Sequence, residues 1–207
     1  MKLTKFEQSG FILETESGFR LAFDIGNKTP TEKLEGIKVD AILVSHIHGD
    51  HFHMENIKKL SPQIVYLNKE CIEVEGEDDS ALKIVQIESD NDIFLSTNFT
   101  VKTFNVDHGP NISAPIAENF GFLFNVDGKT IYFAGDMFYA SGIGITDLEV
   151  DYLLLPVGGF YTFGPNEAFD FAKKFRKIGK IITMHYDKNP ETRDQFLALA
   201  KDVFEVI

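Results

Sequence analysis

A histidine-rich segment that directly follows an apolar run is the feature that most constrains the fold. Residues Val39–Val44 read VDAILV, a nearly continuous apolar stretch typical of a strand buried on both faces. Ser45–His53 then reads SHIHGDHFH, which places four of the six histidines of the chain in one short segment. Histidine has only an intermediate preference for burial, so packing does not explain this cluster. We therefore expect polar chemistry at the end of this strand.

The spacing of these histidines suits metal binding. His46 and His48 lie two residues apart, so on an extended chain their rings point to the same side and can share one metal ion. Gly49 allows a sharp turn, after which Asp50 and His51 can point toward a second position nearby. A solvated histidine-rich loop, or a loop that captures metal adventitiously, is the alternative interpretation of this stretch alone.

Three more residues with metal-binding side chains follow predicted strands. They are His108, Asp136 and His185. Each of them alone would be interpreted as a hydrogen-bonded loop residue. Because all three stand where an apolar strand stops, as His46 and His48 do, the same sheet edge can gather them. This joint placement makes the metal-site prediction specific.

The rest of the chain alternates short strands with helices. Asp127-Gly128 between two apolar runs is a strong hairpin signal, and Pro165 and Gly179 mark the start and end of a helix over Pro165–Ile178. The other predicted helices are Met54–Leu60 and Thr192–Ala200. The predicted strands, besides Val39–Val44, are Phe11–Glu14, Phe19–Asp24, Gln63–Leu67, Leu82–Ile87, Ile93–Leu95, Phe99–Val106, Phe120–Val126, Thr130–Ala134, Asp151–Val157, Lys180–Met184 and Phe204–Ile207. Two mixed sheets with helices on their outer faces would use all these pieces, so we predict an α/β fold.

Composition excludes some classes of protein and some kinds of partner. The 207 residues suit one domain over residues 1–207. The single cysteine, Cys71, excludes an internal disulfide framework and a zinc site built from cysteines. The formal net charge of −12 repels phosphate backbones, so we expect a small-molecule substrate and no nucleic acid.

Two further expectations concern location and assembly. No apolar run approaches the ~20 residues that span a bilayer, and the N-terminus lacks the apolar stretch of a signal peptide. We therefore expect no membrane association and a cytoplasmic location. Twenty phenylalanines are compatible with a homo-oligomer, although composition does not locate an interface.

These motifs together resemble those of the metallo-β-lactamase superfamily of binuclear metal hydrolases. The resemblance runs from the early strands to the C-terminus and includes the H-x-H-x-D-H signature at His46–His51, His108, the aspartate of AGD at Asp136, and His185. The segment from LLLPVGG at Leu153–Gly159 through Met184-His185-Tyr186 is similar to the ascorbate-6-phosphate-lactonase-like branch, which includes many metal-dependent hydrolases.

The resemblance implies a fold and a set of metal ligands. The implied fold is an αβ/βα four-layer sandwich. The implied ligands are His46, His48 and His108 at the first site and Asp50, His51 and His185 at the second, with Asp136 bridging. Asp50 or Asp136 would orient the attacking water or accept its proton, and we favour Asp50.

Some positions depart from the patterns of well-known members. Asp136 stands where class B1 β-lactamases have a cysteine, so β-lactam hydrolysis is not favoured. Diiron relatives that reduce oxygen or nitric oxide have glutamate at the position of His48 and usually a flavin domain, and both are missing. Met137 stands where a small hydroxyl residue is common, so the usual hydrogen bond there is not expected. His53 lies outside the metal pattern, as a helix-start residue, a partner of a ligand, or a proton donor to the leaving group.

The predicted function is therefore that of a metal-dependent hydrolase. Two divalent ions, Zn²⁺ by preference with Mn²⁺ or Fe²⁺ as alternatives, would hold a hydroxide that attacks the substrate. Two such ions, two aspartates and one hydroxide leave a net positive centre, so even an acidic protein can attract a small anionic phosphoester or lactone. A metal-dependent redox enzyme and a non-catalytic metal-binding module are the alternatives. A metal site without an exchangeable water would favour the module.

Overall fold

Two six-stranded sheets organise the chain, one in each of two compact units. The computed structural model describes residues 1–75, 82–109, 116–138 and 147–207. The first unit comprises Met1–Asn91 and Ile116–Glu118, and the second comprises Asp92–Pro115 and Asn119–Ile207. The α/β class and the two mixed sheets are thereby confirmed. That both units form a single domain stays a prediction.

The sheet of the first unit is antiparallel at one side and parallel at the other. Its strands, in spatial order, are β1 (Lys2–Lys5), β2 (Phe11–Glu14), β3 (Arg20–Phe23), β4 (Ala41–Leu43), β5 (Ile64–Leu67) and β6 (Ile84–Gln86). The first three strands are antiparallel neighbours, whereas β3 to β6 are parallel. Parallel strands need crossover connections. These contain a 3₁₀ turn at Thr31–Leu34 and the helices α1 (Met54–Leu60) and α2 (Lys69–Glu75).

The apolar run before the histidines is a central strand of this first sheet, as predicted. All three residues of β4 are buried, and β4 pairs with β3 on one side and β5 on the other. Helix α1 buries Ile57 and Leu60 in the same apolar core as Ile42 of β4. Burying a side chain of this size stabilises the folded state by about 1.5–3 kcal/mol. The core therefore holds the end of β4, and the residues that follow it, in place.

The sheet of the second unit has the same chain order, with its antiparallel strands first and its parallel strands last. Its strands are β7 (Asp92–Ser96), β8 (Phe99–Asn105), β9 (Phe120–Val126), β10 (Lys129–Phe133), β11 (Glu149–Pro156) and β12 (Lys177–Met184). Strands β7 to β10 are antiparallel neighbours, and β10, β11 and β12 are parallel. Helix α3 (Pro165–Ala172) connects β11 to β12, and α4 (Pro190–Ala200) follows β12 and contacts α3.

Several predicted element boundaries in this unit are wrong, and two of them have a clear cause or consequence. The helix that was expected to reach Ile178 ends at Ala172, because Lys177 and Ile178 already pair with Glu149 and Val150 of β11. Long-range pairing here outweighs the local helical pattern. The predicted strand Phe204–Ile207 is reduced to one isolated bridge between Ile181 and Val206.

Within residues 1–75, 82–109, 116–138 and 147–207, no helix has the length and apolar character needed to cross a bilayer.

Candidate metal centre

The strand order of the first unit places Asp24 and Ser45 at one sheet edge. Strands β3 and β4 are parallel, so the residues that follow Phe23 and Leu43 leave the sheet together. The Asp24 N–H donates to the Leu43 carbonyl oxygen at 3.2 Å, and Asp24 itself has a φ of 50°. A positive φ is uncommon for any residue but glycine, although aspartate tolerates it better than most. The turn at Asp24 directs its carboxylate toward the start of the histidine segment.

Asp24 accepts three hydrogen bonds in a fully buried position. The Ser45 amide donates to Asp24 Oδ1 at 2.8 Å, and the Ser45 hydroxyl donates to Oδ2. His51 Nδ1 lies 2.7 Å from the same Oδ2, with both side chains 0% exposed. Because an ionised carboxylate only accepts hydrogen bonds, the His51 proton lies on Nδ1. Nε2 of His51 therefore carries the lone pair that a metal ion would need.

The hydrogen bonds of Ser45 determine the proton position of His46. Ser45 Oγ lies 2.9 Å from His46 Nδ1, and its one hydrogen already points to Asp24. The hydroxyl oxygen must therefore accept from His46 Nδ1, which leaves the lone pair of this ring on Nε2. His46 Nε2 in turn lies 3.1 Å from Nδ1 of His48. Asp24 and Ser45 thus orient His51 and His46, two predicted ligands, through hydrogen bonds at Nδ1. Carboxylates commonly orient metal-bound histidines through the ring nitrogen that does not bind the metal.

The role of Asp24 is not among the predictions made from the sequence. The residue stood at the end of the predicted strand Phe19–Asp24, so the strand-end criterion that selected the other residues applied to it as well. Its ligand-type oxygen, together with nitrogens of His46 and His51, forms a group within 4.8 Å that could itself hold a metal ion. The contact with a protonated Nδ1 makes hydrogen bonding the role that fits better.

Asp50 is positioned by two residues from earlier in the chain. Gln8 is 2% exposed and has a φ of 54°, and its Nε2 donates to Asp50 Oδ2 at 3.3 Å. A Cβ on Gly26 would lie only 2.0 Å from the Asp50 carbonyl carbon and 2.4 Å from the His51 nitrogen. Only glycine allows so close an approach to this peptide. Within the first unit, the ligand atoms of Asp50 and His51 lie within 4.8 Å of each other.

The second unit brings its three predicted ligands together. Strands β8 and β10 are both antiparallel to β9, and β12 is parallel to β10 through β11. The ends of β8, β10 and β12 therefore reach the same sheet edge, where His108, Asp136 and His185 follow them. His108 Nε2 lies 3.3 Å from Asp136 Oδ2, and His185 Nε2 lies 3.1 Å from that oxygen. All three side chains are almost completely buried.

The supporting contacts in this unit are mainly backbone contacts. The Asn119 side-chain amide donates to the Asp136 carbonyl oxygen at 2.9 Å. His185 has a φ of 58°, and a Cβ on Gly158 would lie 1.8 Å from the His185 carbonyl oxygen. Gly158 thus has the same relation to His185 as Gly26 has to Asp50. In both units a glycine backbone packs against the peptide group of a predicted ligand.

Comparison with known proteins identifies the family. The profile of the beta-lactamase superfamily domain matches residues 2–185. A UPF0173 metal-dependent hydrolase of Pelotomaculum thermopropionicum is 30% identical over 205 residues, which cover 92% of this chain and 86% of the relative. The chain belongs to this family. Two solved structures are similar as well, and at their low identity they show the shared fold.

These structures confirm the metallo-β-lactamase fold of the UPF0173 chain. A protein of Parabacteroides distasonis superposes with a TM-score of 0.81 at 19% identity, covering 99% of this chain and 90% of its own. Igni18, a metallo hydrolase of Ignicoccus hospitalis, has a TM-score of 0.77 at 22% identity and covers 99% and 93%.

The donor atoms within each unit of the UPF0173 chain fit a metal ion. Four ligands at about 2.0–2.1 Å around a tetrahedral zinc ion lie about 3.3–3.4 Å from one another. The separations of 3.1 Å for His46 and His48, and of 3.1 and 3.3 Å around Asp136, are close to that spacing. Imidazole and carboxylate are also ligand types that divalent transition metals accept.

Two residues outside the predicted ligand set, His53 and Met137, have clear structural positions. His53 is the residue before α1, as the helix-start interpretation predicts, and its buried Nδ1 has no hydrogen-bond partner among the described residues. Met137 is buried, and its sulfur accepts a hydrogen bond from the Tyr132 hydroxyl at 3.8 Å. Complete burial raises the pKa of Tyr132 well above its ordinary value, so this hydroxyl keeps its proton.

Proposed function

We propose that this UPF0173 chain hydrolyses a small anionic ester, either a phosphoester or a lactone, with two divalent metal ions. The observation that carries the proposal is the approach of two buried histidine nitrogens to a single oxygen of Asp136. An oxygen that lies at ligand spacing from two imidazole nitrogens suits a bridging ligand. We assign His46, His48 and His108 to the first metal ion and Asp50, His51 and His185 to the second, with Asp136 shared.

The proposed chemistry divides between the metal ions and the protein. When bound, two divalent ions lower the pKa of water toward ~7 and polarise the substrate oxygen. Asp50 would orient the attacking water or accept its proton, and the hydrogen bond that the Gln8 amide donates to its Oδ2 would hold the carboxylate in position. Asp24 and Ser45 would keep the protons of His46 and His51 on the nitrogens that face away from the metal.

Charge and ligand type support the proposed cofactor and substrate class. Five neutral imidazoles and two carboxylates favour Zn²⁺, with Mn²⁺ and Fe²⁺ as alternatives. The formal net charge of −12 repels long polyanions, so a small molecule that docks at a local positive centre fits better than a nucleic acid.

Metal analysis combined with a hydrolysis screen tests the proposal. Protein purified without added metal or chelator is analysed for Zn, Mn and Fe. It is then assayed on generic phosphodiester, phosphomonoester, lactone and thiolester substrates under Zn²⁺ and Mn²⁺. We expect close to two ions per chain, and Asp136→Asn should lose bound metal and lower hydrolysis at least about 100-fold. Asp127→Asn, in the β9–β10 turn, is the matched control and should retain both.

Three outcomes would contradict the proposal. Hydrolysis that survives complete removal of metal would exclude the metal-dependent mechanism. Mainly iron, with substrate-linked oxygen uptake, would favour the redox alternative. Tightly bound metal without exchangeable water and without turnover of any substrate would favour a metal-binding module.

A further inference from the structure

The loop between β11 and α3 presents an exposed aromatic pair. Phe160 is 73% exposed, and its ring meets the ring of Tyr161 edge to face with centroids 4.8 Å apart. A phenylalanine ring that stays in water does not gain the favourable free energy of burial. An edge-to-face contact with a second ring favours one orientation of the pair. The exposed Phe160 ring is therefore supported on one side by the Tyr161 ring.

The backbone at Phe160 is held in an unfavourable conformation. The Tyr161 N–H donates to the Gly159 carbonyl oxygen at 2.8 Å, which closes a three-residue turn with Phe160 at its centre and a φ of 69°. A bulky side chain rarely adopts a positive φ, and such strain persists where the surroundings enforce it, often near functional sites. This turn directs the phenyl ring away from the protein.

The far end of the loop is firmly anchored. The Gly159 N–H donates to the Phe163 carbonyl oxygen at 2.8 Å, and the buried Phe163 ring stacks on Phe171 of α3 at 5.0 Å. The two phenylalanines of this loop thus differ completely in exposure, since Phe163 is 1% exposed. Phe163 serves folding, whereas the exposure of Phe160 has no folding benefit that its contacts explain.

The near end of the loop borders His185. Gly158 packs directly against the His185 carbonyl group, and the Asn189 side-chain amide donates to the Gly158 carbonyl oxygen at 3.3 Å. Because consecutive Cα atoms are 3.8 Å apart, the Phe160 Cα lies within about 7.6 Å of the Gly158 Cα. The exposed ring is therefore close enough to contact a substrate group that extends from a site at His185.

We propose that Phe160, supported by Tyr161, binds an apolar part of the substrate. The inference rests on the proposed function and extends it: the substrate carries an alkyl or aryl group beside its anionic, hydrolysable group. Phe160 is in this view a specificity-determining residue, and it takes no part in the bond-breaking step.

Binding of alkylphosphonates to the Zn²⁺-loaded protein tests this inference without turnover. Methyl-, butyl- and octylphosphonate share one anionic head and differ only in apolar length, and calorimetry gives each dissociation constant. We expect affinity to rise with chain length in the wild type. Phe160→Ala should weaken octylphosphonate roughly tenfold and leave methylphosphonate unchanged, because only the longer chain loses apolar contact area. Phe94→Ala, which removes another exposed phenylalanine of the same unit (69% exposed), should leave the whole series unchanged.

The possible failures are distinguishable. If Phe160→Ala retains the full dependence on chain length while methylphosphonate still binds, the inference is wrong and the proposed function stands. If methylphosphonate binds no better with Zn²⁺ than without it, the proposed function is contradicted, and the inference that rests on it is contradicted as well. Absence of binding by any phosphonate overturns both. A change in oligomeric mass on size exclusion, with affinities unchanged, would make Phe160 an interface residue and overturn the inference.

Discussion

Replacing Asp24 with asparagine tests whether buried hydrogen bonds set the proton positions of His46 and His51. Asp24→Asn removes a charge and turns one acceptor oxygen into an NH₂ donor of nearly the same size. The Ser45 amide holds Oδ1 at 2.8 Å, so the new donor takes the place of Oδ2. There it faces His51 Nδ1, 2.7 Å away. Two donors cannot bond to each other, and the network must rearrange.

Both imidazoles are expected to change tautomer. His51 Nδ1 would accept from the new amide, which moves the ring proton to Nε2. The Ser45 hydroxyl would lose its acceptor and turn its hydrogen toward His46 Nδ1, 2.9 Å away, which moves that ring proton to Nε2 as well. The two nitrogens offered to a metal ion would then carry hydrogens.

The expected losses differ between metal binding and folding. Metal binding would require the proton of each ring to move back to Nδ1, which would break these new hydrogen bonds. Losing the hydrogen-bond partner of one metal-binding histidine weakens metal affinity about 10–100-fold, which is roughly 1.4–2.7 kcal/mol. With two histidines affected, we expect the upper end of this range. The metal-free variant exchanges a charged acceptor for a neutral network, so its free energy of unfolding should fall by only about 1–2 kcal/mol.

Two measurements together test this reasoning. Competition with a chromogenic chelator gives the metal affinity, and long-range ¹H–¹⁵N NMR of metal-free protein gives the tautomer of each histidine. Asp40→Asn is the matched control, because Asp40 Oδ2 accepts the Arg20 N–H at 2.7 Å and its other carboxylate oxygen accepts from Gln63. It should leave both readouts unchanged. Asp24→Asn with shifted tautomers but wild-type metal affinity, or with weaker affinity and unshifted tautomers, would refute the reasoning.

Two further predictions concern backbone packing and acid stability. Gly158→Ala would put a Cβ 1.8 Å from the His185 oxygen, and restoring an ordinary contact moves this segment by more than about 1 Å. Metal content and hydrolysis should therefore fall together. Gly128→Ala, in the β9–β10 turn, strains a backbone with a φ of 73°, but its Cβ would meet nothing within 4 Å, so it should lose some stability and retain both metal content and hydrolysis. Wild-type metal content in Gly158→Ala would contradict this. The Thr130 N–H and the Lys129 ammonium lower the pKa of Asp151, so its stabilising contribution is complete above the ordinary value near 3.8 and is lost as the pH falls through the lower folded-state pKa. Asp151→Asn should flatten the acid limb of urea-unfolding stability, and an unchanged limb would exclude this contribution.

The strand-end residues were predictable because their signal is local. An apolar run predicts a strand, and a histidine or aspartate directly after it predicts a polar group at the sheet edge. His108 and His185 needed no knowledge of partners to be selected in this way. The common direction of β8, β10 and β12 then follows from hairpins and crossovers, which also leave short-range signals.

The less predictable elements depend on partners far along the chain. Strand β1 reads KLTK with no buried residue, so nothing in the segment alone distinguishes it from a polar loop; its pairing with β2 makes it a strand. The early end of α3 likewise follows from the pairing of Lys177 with Glu149. In both segments, pairing with residues far along the chain determines the secondary structure, and the local sequence pattern does not.

The supports of the candidate ligands belong to this second class. Gln8 reaches Asp50 across 42 positions of sequence, and Asp24 reaches His51 across 27. Gly26 and Gly158 contribute nothing but the absence of a side chain, so no ligand motif contains them. Yet each support constrains a ligand by a hydrogen bond or by backbone contact, and a ligand misplaced by about 1 Å can cost 10²-fold in rate. Residues that lack metal-binding groups, such as Gly26 and Gly158, can therefore matter to the site as much as the ligands they position.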